Sequence, residues 1–204
     1  MVERQQAGTK VWRGQSFDDR VLDRRAALLR AGFELLGDEG VGGVTMRAVC
    51  RSAELSPRYF YESFTNTDEL IVAVYDECNA ELAAAIASAG VRPDTEATIA
   101  AAVEGAAGFF GADVRRVRVL LREPLTSPLL TERRSVILPD FLAAIATALG
   151  VEFAPDRSDR ALAGSALAGA LVSLVLDWTD GRFEAVQSEV TTYATNLIVT
   201  MLNR

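Results

Sequence analysis

Pro57, Arg58, Tyr59 and Tyr61 set a guanidinium and two phenol rings on one short stretch behind a proline. Such groups donate hydrogen bonds and offer flat faces, which suits phosphate oxygens and base edges in a duplex groove. Pro57-Arg58-Tyr59 would face base edges. Arg58 is the choice for a guanine, whose O6 and N7 accept from a guanidinium fork. Thr45, Arg47, Tyr59, Tyr61 and Thr67 would mainly hold phosphates, with Ser56 opening the segment.

These side chains need a rigid mount, and the flanking residues supply one. Thr45 is a good N-cap, and Met46, Val49, Cys50 and Ala53 then recur at helical spacing. After the link Glu54-Leu55-Ser56, Ser56 with Pro57 starts a second short helix, with Phe60 and Phe64 on its inner face. Two short helices and a three-residue link describe a helix-turn-helix. A longer helix should precede them, capped by Ser16 with Asp18 and Asp19 in its first turn. Its apolar positions are Val21, Leu22, Ala26, Leu28, Leu29, Phe33 and Leu36, and Gly40, Gly42 and Gly43 close it.

Residues 45–70 resemble the TetR (tetracycline-repressor-like) family of transcription regulators. Thr45, Ala53, Leu55, Ser56, Phe60, Tyr61, Phe64, Asn66, Asp68 and Leu70 stand where the family pattern requires those types. Three positions depart from it: Glu54 replaces the usual turn glycine, Thr67 a lysine, and Ser63 a common His or Tyr. The lysine's loss weakens one expected phosphate contact. Glu54 must accept the turn without glycine's freedom. The resemblance implies a DNA-binding head on a helical body that encloses a small-molecule cavity.

Composition sets the bounds. The chain has 204 residues, half of them hydrophobic, enough for a sizeable core. It lacks sustained period-2 alternation, so an all-α fold is expected. Net charge is −7, unfavourable for general nucleic-acid binding. The charge is uneven, however. Residues 1–64 hold ten basic and nine acidic side chains, against eleven and nineteen in the remainder. The chain contains no histidine, which removes Ser-His and Cys-His nucleophile pairs and most zinc sites. Cys50 and Cys78 lack metal-ligand spacing. No catalytic residue, metal or cofactor is expected. MVERQQAGTK has no apolar signal core, so a cytoplasmic location is expected.

Beyond residue 66 the pattern predicts helices from about Asn66 to Ser88, from Asp94 or Thr95 to Phe110, from Val114 to Arg122, and from Ser127-Pro128 to Leu149. Pro139 should kink or split the last of these. Two more should run from Ser158 to Trp178 and from Arg182 to Asn203, the last with an apolar face of Val186, Val190, Tyr193, Leu197 and Met201. Ala161–Leu176 falls short of the about 20 residues that span a bilayer. A helix apolar all round is buried on every side, and Gly164, Ala168 and Gly169 would admit a close partner helix.

The expected organisation is thus a mobile arm at 1–15, a helix-turn-helix domain at 16–66 and an effector-binding and dimerisation domain at 67–204, with about nine helices in all. The expected partners are an operator duplex, a small effector and a second copy of the chain joined through the two C-terminal helices, without a membrane. Tyr75, Glu104, Phe109, Phe110, Arg122 and Trp178 are the candidate cavity residues. Glu104 lies among Ala and Gly and would need a cationic partner if buried, either an arginine of 115–122 or the effector. The expected function is a ligand-released repressor on a near-palindromic operator. A helical small-molecule enzyme and a protein-binding adaptor are the alternatives.

Overall fold

The computed structural model describes residues 17–151 and 157–202. The expected arm, the cap at Ser16, the residues around 152–156 and Asn203 lie outside them. All regular structure among the described residues is helical: α1 Phe17–Glu39, α2 Met46–Ser52, α3 Pro57–Ser63, α4 Thr67–Ala87, α5 Thr95–Ala112, α6 Arg115–Val117, α7 Pro128–Leu149, α8 Arg157–Thr179 and α9 Gln187–Leu202.

Local capping chemistry fixes four of the starts. Thr45 accepts from the Ala48 amide, Asn66 from Glu69, Asp94 from Ala97 and Ser127 from Leu130. At α4 the cap is reciprocal, because the Glu69 carboxylate accepts the Thr65 amide at 2.6 Å. Those hydrogen bonds hold Glu69 below the ordinary carboxylate range.

One core joins the first three helices to the body. Leu28, Leu36, Phe60, Phe64, Leu70, Val119 and Leu130 meet in it. A second cluster, Ile99, Ala102 and Leu149, receives Ile198, Val199 and Leu202 of α9. Gly105 lets α5 press on α4, since a Cβ there would sit 2.8 Å from the Ala85 carbonyl oxygen.

Four expectations change. Val114 to Arg122 is not one α-helix: α6 gives way to a π-turn at Arg118–Arg122 and a 3₁₀ turn at Glu123–Leu125. Pro139 does not split α7, which runs through it; the residue is exposed, so water can reach the carbonyl that loses its amide partner. The final helix begins at Gln187, five residues later than expected. Trp178 Nε1 donates to the Ala185 carbonyl at 2.8 Å and Arg182 Nη1 to Asp177 at 2.7 Å, holding 180–186 as a turn. The buried side of α9 is Val190, Thr191, Ala194 and Thr195, whereas Val186 and Tyr193 are exposed.

Helix α8 departs furthest from its expected burial. Leu162–Thr179 is long and apolar enough to cross a membrane, with mean hydropathy 1.5, yet only 11% of it is buried. Leu162, Ser165, Ala166, Gly169, Ala170 and Ser173 form an exposed stripe along it. The single chain leaves this face uncovered.

Candidate nucleic-acid interface and effector body

The candidate interface is the outer side of α3, a helix that α1 and α2 hold from behind. Phe60 and Phe64 are sealed in the core, and their rings lie 6.0 Å apart. Arg25 of α1 stacks on the Phe64 ring at 4.3 Å and donates to the Ser63 carbonyl at 3.2 Å. The helix therefore cannot roll without breaking these contacts.

Facing outward, Ser56, Pro57, Arg58 and Tyr61 are exposed, as are Thr45 and Arg47 from α2. The Arg58 side chain is 83% exposed. Tyr61 meets Phe60 edge-on at 5.5 Å and stands out from the helix. Tyr59 differs from the expectation of a base-facing ring. It is half-buried, with the Arg24 guanidinium 4.4 Å above its ring, so it packs partly against α1. Ser56 opens α3 without a side-chain capping bond. Thr67 is half-buried at the first position of α4.

Sequence reasoning missed Glu62. It is the one carboxylate in α3, and it accepts from Arg58 Nε at 2.9 Å and lies 3.8 Å from Arg24 Nη2. The i, i+4 spacing of Arg58 and Glu62 was the available signal.

At Glu54 the left-handed turn is real. The residue sits at φ +54°, the conformation that glycine takes without strain.

A second polar cluster lies where the body meets the α1–α2 turn. Glu123 is buried and accepts Arg118 Nε at 2.9 Å and the Val41 amide at 3.1 Å. Arg118 Nη1 also donates to the Asp38 carbonyl at 2.7 Å. Gly40, at φ +78°, passes so close that a Cβ would lie 2.6 Å from Glu123 Oε1. Nearby, Arg115 pairs with Asp113 and stacks over Phe33, and the pairing lowers the Asp113 carboxyl below its usual range.

The six candidate cavity residues do not converge on one site. Tyr75 and Phe109 are core residues, and Phe110 packs on the same cluster with its ring 5.3 Å from Phe109. Arg122 pairs with Asp180, and Trp178 bonds to Ala185 in the α8–α9 turn. Glu104 faces outward, contrary to the expectation of a buried carboxylate. The arginines expected to neutralise it have other partners: Asp38 and Asp113 for Arg115, Glu81 for Arg116, Glu123 for Arg118 and Asp180 for Arg122. Glu104 instead lines an open groove of about 530 Å³ between α5 and α9, with Asp94, Glu96, Thr191 and Thr195.

Residues 28–74 match the family model of bacterial regulatory proteins, tetR family. A TetR-like transcriptional regulator from Rhodococcus sp. RHA1 is 23% identical, with a TM-score of 0.60 over 89% of this chain and 94% of that one. The fatty acid degradation regulator FadR from Bacillus halodurans is 16% identical, with a TM-score of 0.63 over 88% and 94%. The multidrug binding protein EbrR, complexed with imidazole, is 20% identical, with a TM-score of 0.64 over 92% and 96%. No curated protein matches the chain by sequence.

Proposed function

We propose, from the match of residues 28–74 to the family model of bacterial regulatory proteins, tetR family, that this chain is a ligand-responsive repressor of that family. It binds a near-palindromic operator as a homodimer and is released by a small, largely apolar effector. Its division into a head at 16–66 and a body at 67–204 belongs to the same reading.

The observation that carries the proposal is the exposed face of α3. Pro57, Arg58 and Tyr61 stand clear of a helix whose other side is locked by Phe60 and Phe64. Arg58 would read a guanine, while Thr45, Arg47, Ser56, Tyr59, Tyr61 and Thr67 position the head on phosphates. One short helix reads only a few base pairs. Specific affinities of about 10⁻⁸–10⁻¹¹ M call for two half-sites read together. The uncovered stripe on α8 supports pairing through α8 and α9, because an isologous patch presents itself to its own copy.

The effector acts through the body. A fold that holds small molecules in EbrR, with imidazole in one complex and ethidium in another, supports such a role here. To shift the dimer from 1:99 to 99:1 in favour of the released state, the effector must bind that state better by about 5.5 kcal/mol. Helix α4, a 21-residue rod from beside α3 into the body, and the Glu123 junction are the paths for the change.

A gel shift with the DNA flanking the gene tests the proposal. The wild type should retard one fragment at moderate salt, Arg58→Ala should lose it, and a screened apolar metabolite should release it. Failure to retard any flanking duplex contradicts the reading.

A further inference from the structure

We propose that Glu62 is a specificity-determining positioning residue, which aims Arg58 at one base and weakens the head's attraction for phosphates at large. The inference rests on the reading of α3 as the groove-facing helix.

Glu62 spans two guanidiniums. Oε1 takes Arg58 Nε at 2.9 Å, and Oε2 lies 3.8 Å from Arg24 Nη2 on α1. Arg24 is well covered, its side chain 20% exposed, and rests on the Tyr59 ring at 4.4 Å. The Arg24 contact is longer than a hydrogen bond, so the 2.9 Å bond from Arg58 Nε is what fixes the exposed arginine of α3 against Glu62. An arginine as open as Arg58 otherwise samples many rotamers. Engaging Nε leaves Nη1 and Nη2, the two donors that form a fork on guanine O6 and N7.

Helix stability does not account for the pair. An exposed i, i+4 ion pair contributes little. This one also runs against the helix dipole, with the cation toward the N-terminus and the carboxylate toward the C-terminus. A carboxylate on this face further opposes phosphate binding. Removing it should therefore strengthen binding to any duplex while blurring the choice among them.

The test is selection from a randomised-duplex pool by wild type, Glu62→Gln, Arg24→Gln and Arg58→Ala, with melting curves confirming that each is folded. Affinity for the selected and a scrambled duplex is then read by anisotropy across a sodium chloride series. Glu62→Gln should lose preference at the base pair that Arg58→Ala also erases. It should bind the scrambled duplex severalfold tighter, with a salt slope steeper by about 0.9. Arg24→Gln should keep the preference at that base pair. The proposal is overturned if Glu62→Gln selects the wild-type site with an unchanged ratio of specific to scrambled affinity. It is equally overturned if Arg24→Gln loses the same base pair, since packing of α3 on α1 would then be the cause. A wild type that selects no site removes the groove reader itself, and this inference with it.

Discussion

Glu123 and Val41, 82 residues apart, are joined by a 3.1 Å hydrogen bond from the Val41 amide to the Glu123 carboxylate. That bond ties the turn after α1 to the 3₁₀ turn that follows the π-turn of the body, and Arg118 completes the clasp on the other carboxylate oxygen. Glu123→Ala would leave the part-buried Val41 amide and Arg118 Nε without their acceptor. The expected loss is about 1–3 kcal/mol of unfolding free energy. Gly40→Ala should also destabilise, by pushing a Cβ into the same carboxylate at an unfavourable positive φ. Urea denaturation measures both, and unchanged midpoints would exclude the clasp as a structural tie.

Glu54 is the reverse case, a residue whose replacement should help. A side chain in the left-handed region costs about 1–2 kcal/mol relative to glycine, and glycine's extra freedom in the unfolded chain returns part of that. Glu54→Gly should gain about 0.5–1 kcal/mol by thermal or urea unfolding. A clear loss would mean that the Glu54 side chain makes a contact worth more than the strain.

Both thiols should resist alkylation in the native state. Cys78 is buried, and desolvation pushes it from 9.0 to about 12; burial also raises Cys50. The sign follows directly. The raised value contributes stability that is fully present below the unfolded value and is lost as pH rises through about 12. Iodoacetamide labelling at pH 8, followed by mass spectrometry, should track global unfolding. Rapid native labelling of Cys78 would contradict its placement.

Gly169 separates the single-chain fold from the pairing of two chains. A Cβ there meets nothing within 4 Å, so Gly169→Leu should leave helix content intact or raise stability slightly. On a close helix–helix interface the same side chain would hold the partner away. Light scattering should show a dimer for the wild type and a shift toward monomer for the variant. A dimer of unchanged affinity would place the interface elsewhere.

What could be read from the sequence was largely local. The caps at Thr45, Asp94 and Ser127 and the proline at position 57 act on their own first turns, and the helices start there. The left-handed turn at Glu54 was legible because position, not residue type, announced it. Features decided by distant partners were not legible. The π-turn depends on Arg118 reaching Glu123 and Asp38, and the late start of α9 on Trp178 reaching back over its own turn. Glu104 misled because small apolar neighbours imply burial only if another element covers that side of α5. The side is open.

Hydroxyl-radical footprinting of the wild type and Arg58→Ala on the duplex that the wild type selects tests whether α3 reads paired grooves. Two protected half-sites about 34–36 Å apart, related by a dyad and absent with Arg58→Ala, are expected. A single protected half-site, or the same protection with Arg58→Ala, would contradict it.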